Sequence, residues 1–368
     1  MNRPAWGRPR ATPLPLIGMA EPYPSNSNNF HRPQMTTQRI LVVGGAGYIG
    51  THMVKDLLRA DYKVVVLDNL STGHRELVPG GDFVEGDLGD STLLDQLFSK
   101  HKIDAVMHFA AFSLVGESVK EPLNYYRNNV ARTVELLAAM RRHGVNRFIF
   151  SFTAAVYGEP VTTLISEDHP SQPTNPYGAS KMAVERMLAD CAIAHGLRYV
   201  ALRYFNAAGA DAEGGIGERH EPESHLIPLV LQTATGEREA IQIYGEDYPT
   251  PDGTCLRDYV HVNDLAQAHL LALESLLGDG ANNVFNLGNS KGYSVREVID
   301  IARRVTGRPI TVRSAARRPG DPAILVADST KIRQTLGWQP RYEQLETIIA
   351  SAWNWHQQEA ARKGVRLL

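Results

Sequence analysis

The chain has 368 residues, a formal charge of −2, and 43% hydrophobic against 21% charged residues. This length supports one large or two ordinary cores, and the near-neutral charge leaves no electrostatic footprint for DNA or RNA as partners. No apolar run reaches the roughly 18 residues of a membrane span. The two cysteines, Cys191 and Cys255, have no metal-ligand spacing around them, so a metal-free, membrane-free protein of the reducing cytoplasm is expected.

Residues 1–37 are rich in Pro, Asn, Ser and Arg, which predicts a disordered tail. The first ordered stretch is Ile40-Leu-Val-Val-Gly-Gly-Ala-Gly-Tyr-Ile-Gly50. Its β-branched run predicts a strand covered on both faces, its glycine spacing G-x-x-G-x-x-G predicts a phosphate-binding turn, and residues 51–60 read as the following helix. Gly44 suits the tight turn, Gly47 lets the main chain approach a pyrophosphate, and Gly50 lets the helix lie close on the strand. The helix start then offers amide groups and partial positive charge to phosphates. The next apolar run, 63–68, ends in Asp68, about 20 residues beyond the glycines, where a carboxylate would hold an adenosine ribose. With no arginine beside it, Asp68 favours NAD over NADP.

Further along, 82–87 reads as a strand, 91–101 as a helix, 103–110 as a strand, 122–143 as a long amphipathic helix and 147–151 as another strand. This alternation predicts an α/β doubly wound parallel sheet of the Rossmann type, with ligands at the carboxyl ends of its strands. Asp87, Ala110, Ala111, Ser151 and Thr153 fall there. After about residue 205 the rhythm breaks, and Gly, Pro and acidic residues crowd 209–224. The expected organisation is an NAD-binding domain over 38–206 and a smaller α+β domain over 207–368, with a segment near 255–287 returning to the first.

Tyr177-Gly-Ala-Ser-Lys181 opens a further helical pattern, with Pro176 at its first position and Thr174 or Asn175 as cap. Tyr177 and Lys181, four apart, share a helix face. A free phenol titrates near pH 10, so using it as a base near neutrality requires roughly 4 kcal/mol. Nearby cations, the lysine ammonium and an oxidised nicotinamide, would supply that preference, and the helix start adds a smaller push. Thr153, at its strand's end, would offer a hydroxyl to the same reacting oxygen. The implied chemistry removes a proton from a substrate alcohol while its carbon gives hydride to NAD.

Together with Asp68-Asn-Leu70, His108-Phe-Ala110, Val115-Gly-Glu-Ser118, Ala154-Ala-Val-Tyr-Gly158, Arg203-Tyr-Phe-Asn206 and Tyr248-Pro-Thr-Pro-Asp-Gly-Thr254, these motifs resemble the UDP-glucose 4-epimerases of the extended short-chain dehydrogenase/reductase family. The resemblance runs from Ile40 to about Trp355. It implies a tightly held NAD that is reduced and reoxidised within one turnover of UDP-glucose or UDP-galactose, through a 4-keto sugar that swings within the site. It implies that Tyr177, Lys181 and Thr153 are catalytic. Cofactor contacts would come from Gly44, Gly47, Tyr48, Ile49, Gly50, Asp68, Asn69, Asp87 and Leu88, then from Phe109, Ala110, Ala111, Asn128, Lys181 and Tyr204. The nucleotide sugar would meet Thr153, Tyr177, Asn206, His225, Leu226, Tyr244, Arg257, Arg318 and Asp321. An arginine fork such as that of Arg257 can bind two pyrophosphate oxygens at once; its plain structural alternative is an ion pair with Asp258.

The chain departs from the family pattern at Phe152 and Ser113, and His225 stands where other members carry asparagine. Leu325 falls at a position that gates the sugar pocket, which leaves other UDP-sugars (N-acetylated, pentose or uronate) as alternative substrates. A dehydratase would carry an acidic pair where Ala154-Ala155 stands, and a silent NAD-binding scaffold would have little reason to keep Tyr177, Lys181, Thr153 and Arg257 together. The family's four-helix contact implies a homodimer, with the stripe Val130, Val134, Leu137, Ala138 and Arg141 compatible with it.

Overall fold

The computed structural model describes residues 38–318 and 320–364, and the tail expected over 1–37 lies outside them. Six strands come first in the chain: β1 (Arg39–Val43), β2 (Lys63–Asp68), β3 (Asp82–Glu85), β4 (Ala105–His108), β5 (Arg147–Thr153) and β6 (Arg198–Tyr204). The chain then leaves this sheet for β7 (Asn206–Ala208), β8 (Ile241–Tyr244) and β9 (Leu256–His261). It rejoins it with β10 (Asn283–Leu287), and β11 (Gly292–Ser294), β12 (Val312–Ala315) and β13 (Ile324–Leu325) follow. The large sheet is seven-stranded and parallel, in the order β10-β6-β5-β4-β1-β2-β3. Its order reverses between β1 and β4, the crevice where doubly wound sheets take their ligands.

Both faces of this sheet are covered, as the continuous apolar strands require. In β1, Leu41 and Val43 point into one core cluster while Ile40 and Val42 point into the other, which is the period-two alternation of a strand. The first cluster holds buried residues of helices α2 (Ser91–Lys100), α5 (Arg132–Arg142) and α6 (Pro176–His195). The second holds those of α1 (Tyr48–Arg59) and α8 (Val262–Leu277). A third cluster joins α7 (Leu226–Thr235), α9 (Val295–Thr306) and α11 (Leu345–Arg362). Around β9 a small sheet forms: β7 and β13 pair with it in parallel and β11 antiparallel, while β8 pairs with β12.

Two helices differ from expectation. The helix after the glycine loop starts at Tyr48, not at 51, because Gly47 already serves as its N-cap and the last glycine sits inside its first turn. The stretch 122–143 is not one regular helix. α4 (Pro122–Tyr125) runs into a π-helical turn, Tyr126–Ala131, before α5 begins. The wider turn carries Asn129 inward, where Nδ2 donates to the Phe112 carbonyl (3.0 Å) and to Ser180 Oγ (3.1 Å), and Oδ1 accepts from the Phe112 amide (2.9 Å). A buried amide with three satisfied bonds ties the loop after β4 to α6 and offsets the irregular helix.

Candidate active site

The glycine loop is shaped by contacts that allow no side chain. At Gly44 φ is +78°, and a Cβ would come within 2.5 Å of the Ala110 amide nitrogen. At Gly50 a Cβ would come within 2.1 Å of the Gly44 carbonyl, so the close seat of α1 on β1 depends on it. Gly47 differs: a Cβ there would have only the Gly44 carbonyl near it, at 3.4 Å. The protein leaves room above Gly47, and α1 has no side-chain cap on its first turn, an arrangement that suits an anionic group over the helix start. The Tyr48 hydroxyl is turned away and donates to the Gly209 carbonyl at 2.6 Å, while Ile49 packs into the core.

Gly44, Gly47, Asp68, Phe109, Ala110 and Ala111 line one cleft. Asp68 ends β2 and is nearly buried; its carboxylate accepts from the Ala46 amide (2.9 Å) and the Leu70 amide (2.9 Å), which fixes its orientation. Asn69 donates to Asp87 at 2.9 Å, beside Leu88 on the same cleft wall. Arg132, at the start of α5, joins this group: its Nε lies 3.0 Å from Asp87, and it donates to Asn128 Oδ1 at 2.6 Å. Arg132 therefore clamps two expected cofactor residues. Nothing in the sequence singled it out, because an arginine in a helical pattern reads as a solvated face.

Thr153 closes β5 and caps a short 3-10 turn, Ala154–Val156, its hydroxyl accepting from the Ala155 amide. The start of α6 packs directly on that turn, since a Cβ on Gly178 would meet the Ala155 carbonyl at 2.5 Å. This contact is why a glycine follows Tyr177. Asn175 is the cap, accepting from the Gly178 amide at 2.9 Å, and Pro176 takes the first position. Tyr177 is thus brought against Thr153. Burial raises its pKa above the ordinary 10, and the Thr153 hydroxyl opposes that by hydrogen bonding. One turn on, Lys181 is buried with its ammonium 4.3 Å above the Phe150 ring, and burial lowers its pKa to about 7. Desolvation thus weakens the lysine charge, one of the two cations expected to favour the Tyr177 phenolate, and leaves the larger share to the oxidised nicotinamide. Tyr204, paired in register with Thr153, shares a hydrogen bond with Ser151 and lies near enough to Tyr177 to feel its charge.

The residues expected to meet a nucleotide sugar gather around β9. Arg257 pairs with Asp321 across the β9–β13 side of the small sheet. It does not pair with its neighbour Asp258, which is fully buried and accepts from the Asn289, Ser290 and Ala327 amides at 2.8–3.1 Å. Asn206 on β7 donates to the Asp258 carbonyl at 2.9 Å. The Arg318 guanidinium sits 3.8 Å over the Tyr244 ring, and Leu325 stands beside Arg257 in register. His225 bonds to Glu218 and stands at the N-cap position of α7, without a side-chain bond to the helix, directly before Leu226.

The sequence pattern of the NAD dependent epimerase/dehydratase family matches residues 40–288. A UDP-glucose 4-epimerase of Halalkalibacterium halodurans is 57% identical over 87% of this chain and 96% of its own length. That of Lacticaseibacillus casei is 53% identical over 86% and 96%. Among solved structures, UDP-glucose 4-epimerase from Brucella ovis in complex with NAD superposes with a TM-score of 0.84 at 50% identity, covering 86% of this chain and 98% of that one. The Bifidobacterium longum enzyme in complex with NAD+ and UDP gives 0.83 at 39% identity over 87% and 98%. The dehydratase and silent-scaffold readings find no support among these relatives. The chain belongs to the NAD dependent epimerase/dehydratase family and, within it, to the UDP-glucose 4-epimerases.

Proposed function

We propose that the chain interconverts UDP-glucose and UDP-galactose by inverting C4, with NAD as a resident cofactor. The observation that carries this reading is the hydrogen bond of the Thr153 hydroxyl to Tyr177, with Lys181 one helical turn on, in a chain whose glycine loop and Asp68 line a cleft that suits a dinucleotide. The fit to NAD rests on three features. There is room above Gly47 at an uncapped helix start, a fixed carboxylate at Asp68, and, among the described residues, no cation paired with that carboxylate to welcome a second phosphate.

When bound, NAD supplies an acceptor that takes hydride from C4 and returns it to the opposite face of the 4-keto sugar. The chain does the rest. Tyr177 Oη takes the proton of the C4 hydroxyl and later gives it back, and Thr153 holds the same oxygen. Lys181, close to its neutral point, supplies a charge sensitive to whatever occupies the cleft. Arg257 and Asp321 would hold the pyrophosphate and ribose, with Asn206 and Arg318 beside them and Tyr244 beneath Arg318 as a ring platform. In this reading residues 38–206 form the cofactor part, with 255–287 returning to it, and 207–368 the sugar part.

We further infer a homodimer in the cytoplasm. Val119, Leu123 and Ile193 are 62%, 73% and 87% exposed on α3 (Val115–Lys120), α4 and α6, large apolar side chains that a second copy would cover. Val134 on α5 is exposed as well, whereas Leu137 of the expected stripe is buried in the core. Both cysteines are free, and among the described residues no helix is long and apolar enough to cross a membrane.

The deciding assay is epimerisation of UDP-galactose by purified protein with no NAD added. Turnover supports the reading with retained cofactor. Absence of turnover even after NAD is supplied overturns it.

A further inference from the structure

One group of chemistry-bearing side chains takes no part in the proposed reaction. The loop 218–225 reads Glu-Arg-His-Glu-Pro-Glu-Ser-His and brings Glu218, His220, Glu223 and His225 together. One ligating atom from each lies within 4.8 Å of those of the other three. His220 Nδ1 is 3.1 Å from Glu218 Oε1 and 3.9 Å from Glu223 Oε2. His225 Nδ1 contacts that same Glu218 oxygen and is 3.9 Å from Glu223 Oε1. Two imidazole nitrogens and two carboxylates thus face a common centre.

We propose that this loop is a divalent transition-metal site, with zinc as its preferred ion. Tetrahedral zinc with nitrogen and oxygen ligands at about 2.0–2.1 Å has ligand-to-ligand edges of about 3.3 Å, between the 3.1 Å of His220 Nδ1 to Glu218 and the 3.9 Å of either imidazole to Glu223. His225 Nδ1, in direct contact with Glu218 Oε1, would move outward to admit the ion. The donor set also selects the ion. Imidazole with carboxylate suits zinc and its neighbours, whereas magnesium and calcium favour oxygen alone. The Glu218 and Glu223 side chains are only 5% and 6% exposed, so both carboxylates are turned to the two imidazoles and away from solvent.

The surroundings give the ion a task. The Glu218 carbonyl accepts from the Trp355 indole at 2.8 Å, the Arg219 carbonyl meets the His74 ring at 3.2 Å, and the Tyr48 and His220 rings contact edge to face. The loop is therefore wedged between α11, the segment after β2 and the first residue of α1, and its last ligand directly precedes α7. A metal there would staple the start of α7 to the rim of the glycine loop. It would also make His225 a positioning residue for Leu226, in place of a direct contact to the sugar.

The test uses the full chain, stripped with a chelator and dialysed, then titrated with zinc and separately with cobalt. The expected result is a single equivalent of zinc per chain and the intense visible bands of four-coordinate cobalt. X-ray absorption on the zinc form should show imidazole scattering and no sulfur. His220→Ala and Glu223→Gln should each weaken binding by roughly 100-fold or more, while Cys255→Ser leaves it unchanged. NAD content and circular dichroism check that the variants fold; if they do not, the absorption spectrum of the unaltered chain decides alone. Substoichiometric or unsaturable zinc, sulfur in the first shell, or unchanged affinity in folded variants would each overturn the site and leave an ion-paired His–Glu cluster.

Discussion

Lys181→Met separates the cost of the catalytic lysine from its use. The folded chain holds this ammonium near pKa 7 against an ordinary 10.5, with burial as the cause. At ~1.4 kcal/mol per tenfold, that gap corresponds to roughly 5 kcal/mol of destabilisation when both states are charged. The sign follows from proton counting. Between pH 7 and 10.5 the unfolded chain binds the proton that the folded chain has released, so stability rises with pH across that window. Below it the penalty is constant, and above it the penalty is gone. Methionine keeps the length of the side chain and its contact with the Phe150 ring without a charge. In NAD-free protein the variant should be more stable by about 4 kcal/mol at pH 7 and about 2 kcal/mol at pH 9, while its epimerase activity with NAD supplied is abolished. Urea unfolding at the two pH values measures this directly. A stability gain that is the same at both, or a variant less stable than the parent at pH 7, would show that Lys181 is not a strained buried cation.

Tyr177→Phe should lower kcat by about 10²–10⁴-fold and leave NAD content and UDP affinity unchanged, as read by coupled assay and calorimetry; a fall under tenfold would remove the phenol from the proton path. Gly50→Ala drives a methyl group into the Gly44 carbonyl and should lift α1 off β1. NAD retained on purification should then fall by at least about tenfold, a loss of ~1.4 kcal/mol or more, and unchanged NAD content would contradict the packing. Arg257→Gln should raise the UDP dissociation constant by about 10–100-fold, the worth of a charged hydrogen bond, with a smaller effect on kcat at saturation. An unchanged UDP affinity would confine Arg257 to its ion pair with Asp321.

The large sheet was legible because its signals are local. Residues 40–43 alternate between two cores, and Asp68 sits where a second strand must end, so pattern and spacing sufficed for the strands and the cleft. Tyr177 and Lys181 were legible for the same reason, their roles depending on one helical turn. What escaped depends on contacts between distant segments. Arg132 gains its place only when α5 swings its first turn over Asp87. The partner of Arg257 is 64 positions away at Asp321, while the adjacent Asp258 is consumed by three backbone amides. The helix irregularity at 126–131 had a trace in the sequence, a polar Asn129 on an otherwise apolar face, but its partners Phe112 and Ser180 come from other elements. Of the cluster at 218–225 the sequence singled out only His225, as a sugar contact, since only the fold turns its four side chains to one centre.

The placement of β10 bears on how the protein is made. β6 leaves the ribosome with its outer edge unpaired, and its partner Asn283–Leu287 is synthesised about 80 residues later. At 5–20 residues per second, that edge waits for several seconds, at the least, as an open template for strand pairing with another nascent chain. The half that reads as a self-sufficient nucleotide-binding unit therefore cannot finish folding when it emerges. A gene cut after residue 206 would yield an aggregating fragment, and separate expression of the two halves would require residues 283–287 to travel with the first.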